Sequence, residues 1–134
     1  MFKNEADFLE EWLDFHFAHG VDFILLTNDG SEDNFAAVLE PYRQMGILEW
    51  EDSIAHPDFY EREEFHKNKA LRDLGKHYQW IAFLDSDEYV FPLPGDDLKT
   101  HLPKSEKSGG LVLNWLMYGT AHVEDLAADD FMVE

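Results

Sequence analysis

Residues 21–33 read VDFILLTNDGSED, an apolar run that ends in polar, turn-forming residues. The run from Val21 to Thr27 has the length and apolar character of a buried β-strand. The polar residues 28–31 after it have the composition of a tight turn. In open α/β sheets, ligands bind outside the carboxyl ends of the strands, so this turn is a first candidate for a binding loop.

Helices and strands are predicted to alternate on both sides of this run. Apolar residues recur at helical spacing over residues 4–20, with Asn4 placed to cap the helix and Gly20 placed to end it. A second helix, capped by Ser31 or Asp33, is predicted to extend to Gly46. The remaining predicted elements are a strand at 47–50, a helix at 61–78 with Phe65, Ala70, Leu71 and Leu74 on its apolar side, a strand at 80–84, a short helix at 97–102 and a strand at 111–118.

This alternation predicts an α/β fold with a layered, mostly parallel sheet. No repeat, linker or low-complexity tract divides the chain, so residues 1–134 are interpreted as one domain. A sheet of this kind normally has a buried strand before the first helix, and here only Met1 to Lys3 precede it. We therefore expect a truncated sheet that lacks its first strand and a carboxy-terminal part.

Charge and composition exclude several partners. The chain has 134 residues, with 29 acidic side chains against 10 Lys and Arg, and a net charge of −19. Nucleic-acid and anionic-membrane binding both need a basic surface, so neither is expected. No apolar run approaches the ~20 residues that a membrane span needs, and no signal peptide is recognisable. There is no cysteine, so the expected location is the cytoplasm.

A second polar loop, residues 85–88, directly follows the predicted strand at 80–84. Its sequence, Asp85, Ser86, Asp87 and Glu88, concentrates three carboxylates that repel one another unless water or a cation compensates them. Mg²⁺ and Mn²⁺ favour oxygen ligands and commonly use one or two carboxylates. The alternative interpretation is a solvated acidic turn in an acidic protein.

The first loop has three interpretations. Asp29 can accept a hydrogen bond from a nucleobase N–H or a ribose hydroxyl, or the loop can be an ordinary turn that caps a helix. A calcium loop is a third, weaker alternative, because Asp29, Ser31, Asp33 and Glu40 match positions one, three, five and twelve of an EF-hand. Asn34 stands where that motif needs glycine, and a strand precedes the loop where the motif has a helix.

Histidines and cations supply the other candidates. His16 and His19 lie one helical turn apart and are more typical of surface or partly packed imidazoles than of metal ligands. His122 follows a turn after the last predicted strand and is a candidate to close over the acidic loop. Lys67, Lys69 and Arg72 are candidates to meet a diphosphate, with a salt-bridged helix surface as the alternative.

Four short segments occur in a fixed order along the chain. They are Lys3-Asn4-Glu5 with Glu11-Trp12-Leu13, His16 and Gly20; Asn28 to Ser31 with Asp33; Trp80 to Pro92; and Trp115 and Tyr118 to Thr120 with His122. Together they resemble glycosyltransferases of the GT-A type, specifically the family 92-like group and its bacterial family 2-related relatives.

The resemblance implies a Rossmann-like GT-A sheet and a metal-dependent transfer of sugar from a nucleotide-diphosphate donor, with a UDP-sugar favoured, to a hydroxyl of a glycan or other acceptor. The implied ion is Mn²⁺ or Mg²⁺, with Asp85, Asp87 and His122 as its ligands. The residues implied in donor binding are Glu5, Asp29, Ser31, Lys67, Arg72 and Asp85. An inverting reaction needs a carboxylate base, for which Glu88 and Asp125 are the candidates.

Two other functions stay open at this stage. A truncated domain can bind nucleotide or metal without turnover, or self-associate through exposed sheet edges. An acidic interaction module is a third possibility, although it explains the charge and not the positions of Asp85 and Asp87.

Overall fold

The computed structural model describes residues 1–92, 94–104 and 109–118. The fold is α/β, as predicted, with helices and strands alternating in its first half. The elements, in chain order, are α1 (Ala6–Ala18), β1 (Ile24–Asn28), α2 (Phe35–Gln44), β2 (Leu48–Asp52), α3 (Phe59–Leu74) and α4 (Leu98–His101).

The sheet is small and parallel. Strands β1 and β2 pair in register from Ile24 opposite Leu48 to Asn28 opposite Asp52. On the opposite edge of β1, Phe2 forms a single parallel bridge with Asn28. The Phe2 amide donates to the Thr27 carbonyl at 2.9 Å, and the Asp29 amide donates to the Phe2 carbonyl at 2.8 Å. Phe2 therefore fixes the first loop at the point where β1 ends.

The hydrophobic core lies between the sheet and the first two helices. Leu9 and Leu13 of α1, Leu39 of α2 and Leu48 of β2 are completely buried. Phe2 is also buried and packs edge-on against Phe35 with ring centroids 5.2 Å apart. The side chains at helical spacing thus face the sheet, as their periodicity predicts.

The two carboxylate oxygens of Asp33 accept hydrogen bonds from the amino-terminal ends of two helices. One accepts from the Ala6 amide of α1 at 2.8 Å and the other from the Phe35 amide of α2 at 3.3 Å. The prediction that Asn4 caps α1 was wrong. Asn4 has a left-handed φ of 57° and joins the first loop instead, because its amide donates to Ser31 Oγ and its side-chain oxygen accepts from the Glu32 amide.

Two predicted strands are absent from the described structure. Residues 80–84 and 111–118 form neither helix nor strand, so both strand predictions were wrong. A strand is stable only when a neighbour completes its hydrogen-bond ladder. On the Phe2 side of β1 there is one bridging residue and no extended edge, so an apolar sequence alone does not make residues 80–84 a strand.

The helices match their predicted positions with shifted ends. The third helix begins and ends earlier than predicted, and the Asp58 side chain caps it by accepting from the Glu61 amide at 3.2 Å. Asp97 caps α4 by accepting from the Lys99 amide at 2.7 Å. None of the helices in the described residues is long and apolar enough to cross a membrane.

Candidate functional site

A cleft of about 370 Å³ lies where β1 ends, and both polar loops reach it. Four carboxylate residues line the cleft: Glu5, Asp29, Asp85 and Asp87. Lys3 and Ser86 add polar groups, and the apolar part of the wall comes from Phe2, Phe8 and Phe59. The fold therefore brings four of the predicted site residues together, from three separate parts of the sequence.

Asp29 is held in the cleft by Arg62 of α3. The guanidinium donates from Nε to one carboxylate oxygen at 3.0 Å and from Nη2 to the other at 2.8 Å. The hydrogen bonds from Arg62 lower the pKa of Asp29, and they outweigh the opposing effect of partial burial. Asp29 is therefore an ionised hydrogen-bond acceptor of fixed orientation at neutral pH.

The acidic loop 85–88 is a compact turn. The Glu88 amide donates to the Asp85 carbonyl at 3.1 Å, and the Asp85 amide donates to Glu88 Oε2 at 3.1 Å. Ser86 is buried, whereas the side chains of Asp85 and Asp87 are exposed at the cleft. The turn thus directs two of its carboxylates to the ligand side and uses the third, Glu88, to close itself.

Glu5, another residue of the cleft wall, has one buried carboxylate oxygen. Its Oε2 atom is inaccessible to solvent and has no hydrogen-bond partner among the described residues. A buried carboxylate oxygen without a donor is costly unless a cation or a ligand satisfies it. Asp85 and Asp87 add exposed carboxylate oxygens to the cleft, the ligand type that hard divalent cations prefer.

The protein does not form a complete metal cage within residues 1–92, 94–104 and 109–118. No three His, Asp or Glu side chains converge there closely enough to hold an ion by themselves. Mg²⁺ and similar ions are commonly held by one or two carboxylates together with substrate phosphates and water. The partial donor set of the cleft is therefore suited to an ion that arrives with a phosphorylated ligand.

Three of the predicted donor-binding residues lie away from the cleft wall. Ser31 accepts from the Asn4 amide and so shapes the first loop. On α3, Lys67 pairs with Glu63 at 2.7 Å and Arg72 contacts Asp73 at 3.3 Å. In the described structure these two cations therefore belong to the helix surface.

Glu88, His122 and Asp125 complete the predicted site residues. The Glu88 carboxylate bonds the Asp85 amide within the turn, and it is not part of the cleft wall as described. His122 and Asp125 lie outside the described residues.

Arg62 was not among the predicted site residues, because the charged residues of α3 were interpreted as a solvated surface. Arg62, His66 and Lys69 recur at spacings of four and three, which places them on one face of a helix. In the structure this face meets the sheet: Arg62 binds Asp29, and both His66 and Lys69 bind Glu51. The spacing of the three basic residues was the available signal.

His66 is the one residue that α3 buries among those described. Its Nε2 accepts from the Ile54 amide at 3.1 Å, and its Nδ1 lies 2.5 Å from Glu51 Oε1. Burial raises the pKa of Glu51, but the hydrogen bonds from Lys69 and His66 outweigh this effect, and the pKa lies below its ordinary value. The predicted apolar side of this helix was wrong, since Phe65 and Leu71 are nearly half exposed.

A larger groove of about 510 Å³ runs along α1 and α2. Glu10, Asp14, Tyr42 and Met45 are among its lining residues, and Tyr42 donates to Asp14 at 2.6 Å. Neither polar loop reaches this groove. The chemistry-bearing residues of the chain therefore favour the smaller cleft as the functional site.

Fold and site together define an α/β protein with an acidic cleft at the carboxyl end of a parallel sheet. Residues 1–122 match the sequence profile of glycosyltransferase family 92. The chain belongs to this family, which confirms the resemblance seen in the sequence.

A glycosyltransferase family 92 protein of Ricinus communis is 29% identical over 115 residues, which are 84% of this chain and 20% of that protein. The chain thus spans about a fifth of the length of this relative. No solved structure matches the chain significantly.

Proposed function

We propose that this chain forms the donor-binding part of a metal-dependent glycosyltransferase that uses a nucleotide-diphosphate sugar, with a UDP-sugar favoured. The observation that carries the proposal is the convergence of Asp29 with Asp85 and Asp87 in one cleft where β1 ends. Family membership supports a glycosyl transfer, and the position of the cleft is where α/β proteins bind nucleotides. We also propose that the two-stranded sheet is part of a GT-A type, Rossmann-like sheet.

Mn²⁺ or Mg²⁺ would be held by Asp85 and Asp87, which line the cleft together with Glu5. When bound, such an ion supplies Lewis-acid assistance by offsetting the charge that develops on the leaving nucleoside diphosphate. His122 remains a proposed further ligand.

The protein groups around the ion have separate tasks in this proposal. Asp29, kept ionised by Arg62, accepts an N–H or hydroxyl of the nucleoside. Lys3, the one basic residue in the described cleft wall, offsets negative charge of the diphosphate. Phe59 closes the wall with an apolar ring that excludes water from the nucleoside.

The acceptor side of the proposed reaction needs a general base. Transfer to an acceptor hydroxyl with inversion at the sugar needs a carboxylate that removes the hydroxyl proton. Glu88 and Asp125 are the proposed candidates. Because Glu88 closes the acidic turn, it would have to exchange its bond to the Asp85 amide for a bond to the acceptor.

Calorimetric titration of UDP and of GDP, each with Mn²⁺ and with EDTA, tests the donor site. We expect binding of UDP that requires the metal and is lost in Asp87→Ala, because that variant removes a proposed ligand. Asp73→Ala is the matched control, since it removes the same charge from an exposed position on α3 away from the cleft. Binding that is unchanged in Asp87→Ala, or equally weakened in Asp73→Ala, contradicts the proposal.

A second candidate is a domain that binds nucleotide or metal, or self-associates, without turnover. Strongly exposed apolar side chains in the described residues 111–118 favour it, among them Val112 at 94% and Trp115 at 74% exposure. Exposed apolar surface of this kind promotes association. A dimer in light scattering without any sugar transfer supports this candidate, whereas a monomer that turns over a UDP-sugar excludes it.

A further inference from the structure

Two side chains of α1 hold the backbone at the end of the acidic loop. Trp12 Nε1 donates to the Glu88 carbonyl at 2.9 Å. The Val90 amide donates to His16 Nε2 at 3.3 Å. Trp12 and His16 lie one helical turn apart, so they bind residues 88–90 from the same face of the helix.

The hydrogen bonds of His16 determine its protonation state. Its Nδ1 lies 2.8 Å from the Trp12 carbonyl, which can only accept, so Nδ1 carries the proton. Its Nε2 accepts from Val90 and therefore carries none. The imidazole is neutral in this arrangement, and a second proton on Nε2 would remove the acceptor of the Val90 amide.

The surroundings of His16 keep it in this state and position. The ring is 1% exposed, lies 4.3 Å from the ring of Trp12 and stacks on the ring of Tyr89 at 5.8 Å. Burial lowers the pKa of His16 and outweighs the hydrogen bond to the Trp12 carbonyl, which raises it, while the nearby His19 also lowers it. Glu11 and the Tyr89 hydroxyl are the other titratable groups on this side, and burial together with Glu11 raises the pKa of Tyr89 to about 12.

Residues 80–92 are in neither a helix nor a strand, so no ladder of backbone bonds fixes the acidic loop against the sheet. Its attachment depends on individual contacts of the kind made by Trp12 and His16. We propose that His16 is a positioning residue, which holds the Asp85–Asp87 loop at the cleft by accepting the Val90 N–H. The effect of His16 on ligand affinity rests on the proposed function, whereas the effect of His16 on the position of the loop does not.

A pair of variants distinguishes the effect of losing the hydrogen-bond acceptor from the effect of losing the volume that the imidazole fills. His16→Leu fills space but offers no acceptor, while His16→Gln retains a side-chain oxygen. Both variants lack the Nδ1 donor of His16. The two variants therefore differ in whether they offer an acceptor to the Val90 amide. His19→Leu is the control one turn further on, because His19 bonds the Phe15 carbonyl and forms no hydrogen bond with residues 85–90.

Two readouts are measured on each variant: the hydrogen-exchange protection of the Val90 amide by NMR, and the affinity for UDP with Mn²⁺. In His16→Leu we expect protection to be lost and affinity to fall roughly fivefold to tenfold, the loss that corresponds to one hydrogen bond. His16→Gln is expected to recover much of both, and His19→Leu to match the wild type.

Unchanged Val90 protection in His16→Leu overturns the positioning role. Lost protection with unchanged affinity also overturns it, because the loop would then not depend on His16 for binding. If the wild-type chain binds neither UDP nor GDP, the proposed function fails, and loss of Val90 protection in His16→Leu still supports the attachment of the loop.

The wild-type chain provides a second measurement in case His16→Leu does not fold. As pH falls, the imidazole carbon and proton shifts of His16 report its protonation. We expect the Val90 amide to lose protection in step with that titration. A Val90 amide that stays protected after His16 is protonated contradicts the proposal.

Discussion

Helices α1 and α3 attach to the same small sheet by different forces. The residues that α1 buries are mostly apolar: Ala6, Leu9, Trp12 and Leu13, together with His16. Helix α3 buries His66 and reaches the sheet through ion pairs of Arg62 and Lys69 with Asp29 and Glu51. The first attachment is largely non-directional burial, and the second is a set of directional, charge-assisted bonds.

The two attachments therefore affect different properties: that of α1 mainly affects the stability of the protein, and that of α3 mainly affects the geometry of the site. Of the two attachments, apolar burial by α1 contributes more to the free energy of folding, because buried apolar side chains contribute in proportion to the area removed from water. The ion pairs of α3 contribute less free energy but fix the orientation of Asp29 at the cleft. Damage to α1 should therefore unfold the protein, and damage to the polar face of α3 should first disturb the site.

The largest expected effect comes from Leu13→Ala in α1. Leu13 is completely buried, so the substitution should lower the free energy of unfolding by about 2–5 kcal/mol. Leu71→Ala in α3 is the matched control, because Leu71 is 49% exposed and its loss should cost less than about 0.5 kcal/mol. Urea unfolding measures both, and equal losses would remove the contrast between the helices.

Arg62→Met tests the directional attachment of α3. The Arg62 and Asp29 side chains are 16% and 20% exposed, so Asp29 would be left partly buried without its partner, at a cost of about 1–3 kcal/mol. We also expect the pKa of Asp29 to rise, which a carboxyl carbon NMR titration detects. Arg72→Met, at a residue that is 66% exposed, should change neither quantity appreciably. An unchanged Asp29 titration in Arg62→Met would contradict the assignment.

Acid should weaken the attachment of α3 through Glu51. The pKa of Glu51 is lower in the folded protein than its ordinary value of 4.5, so its contribution is present above pH 4.5 and is lost as pH falls through the folded pKa. Wild-type stability should therefore decline below this pH more than that of Glu51→Gln, by an amount on the order of 1 kcal/mol. Both proteins contain His16, so its titration contributes equally to the two pH profiles and drops out of the difference between them. Parallel pH profiles would show that Glu51 does not hold α3.

Lys67→Ala should have the smallest effect. Lys67 pairs with Glu63 on the exposed side of α3, and its side chain is 43% exposed. Exposed ion pairs of this type contribute less than about 1 kcal/mol. We expect thermal unfolding close to that of the wild type, and a loss as large as that of Arg62→Met would show that the two faces of α3 are not distinct.

The sequence predicted most of the regular structure, because helical periodicity and capping residues are local signals. The positions of α1, β1, α2, β2, α3 and α4 were all expected, with ends shifted by a few residues. The predicted strands at 80–84 and 111–118 failed for a non-local reason. Their apolar character shows that burial is favourable, but strand formation also requires an extended neighbour that the sequence pattern cannot reveal.

Much of the cleft was also predictable. Asp29, Asp85 and Asp87 stood out because polar residues after apolar runs are expected at ligand-binding edges of α/β proteins. Arg62 was missed because its partner Asp29 lies far away in sequence, and an arginine on a charged helix looks like solvated surface. His16 was interpreted as a surface or partly packed imidazole, although it is buried and bonded to Val90.

The proposed function requires that the two polar loops form one metal-dependent nucleotide site. Paramagnetic broadening of amide NMR signals by Mn²⁺ in the presence of UDP tests it directly, with Mg²⁺ as the diamagnetic reference. We predict that the amides of Asp29, Glu5 and residues 85–87 broaden together, while those on the exposed side of α3 do not. Broadening confined to one loop, or spread over the acidic surface without regard to the cleft, would contradict the claim.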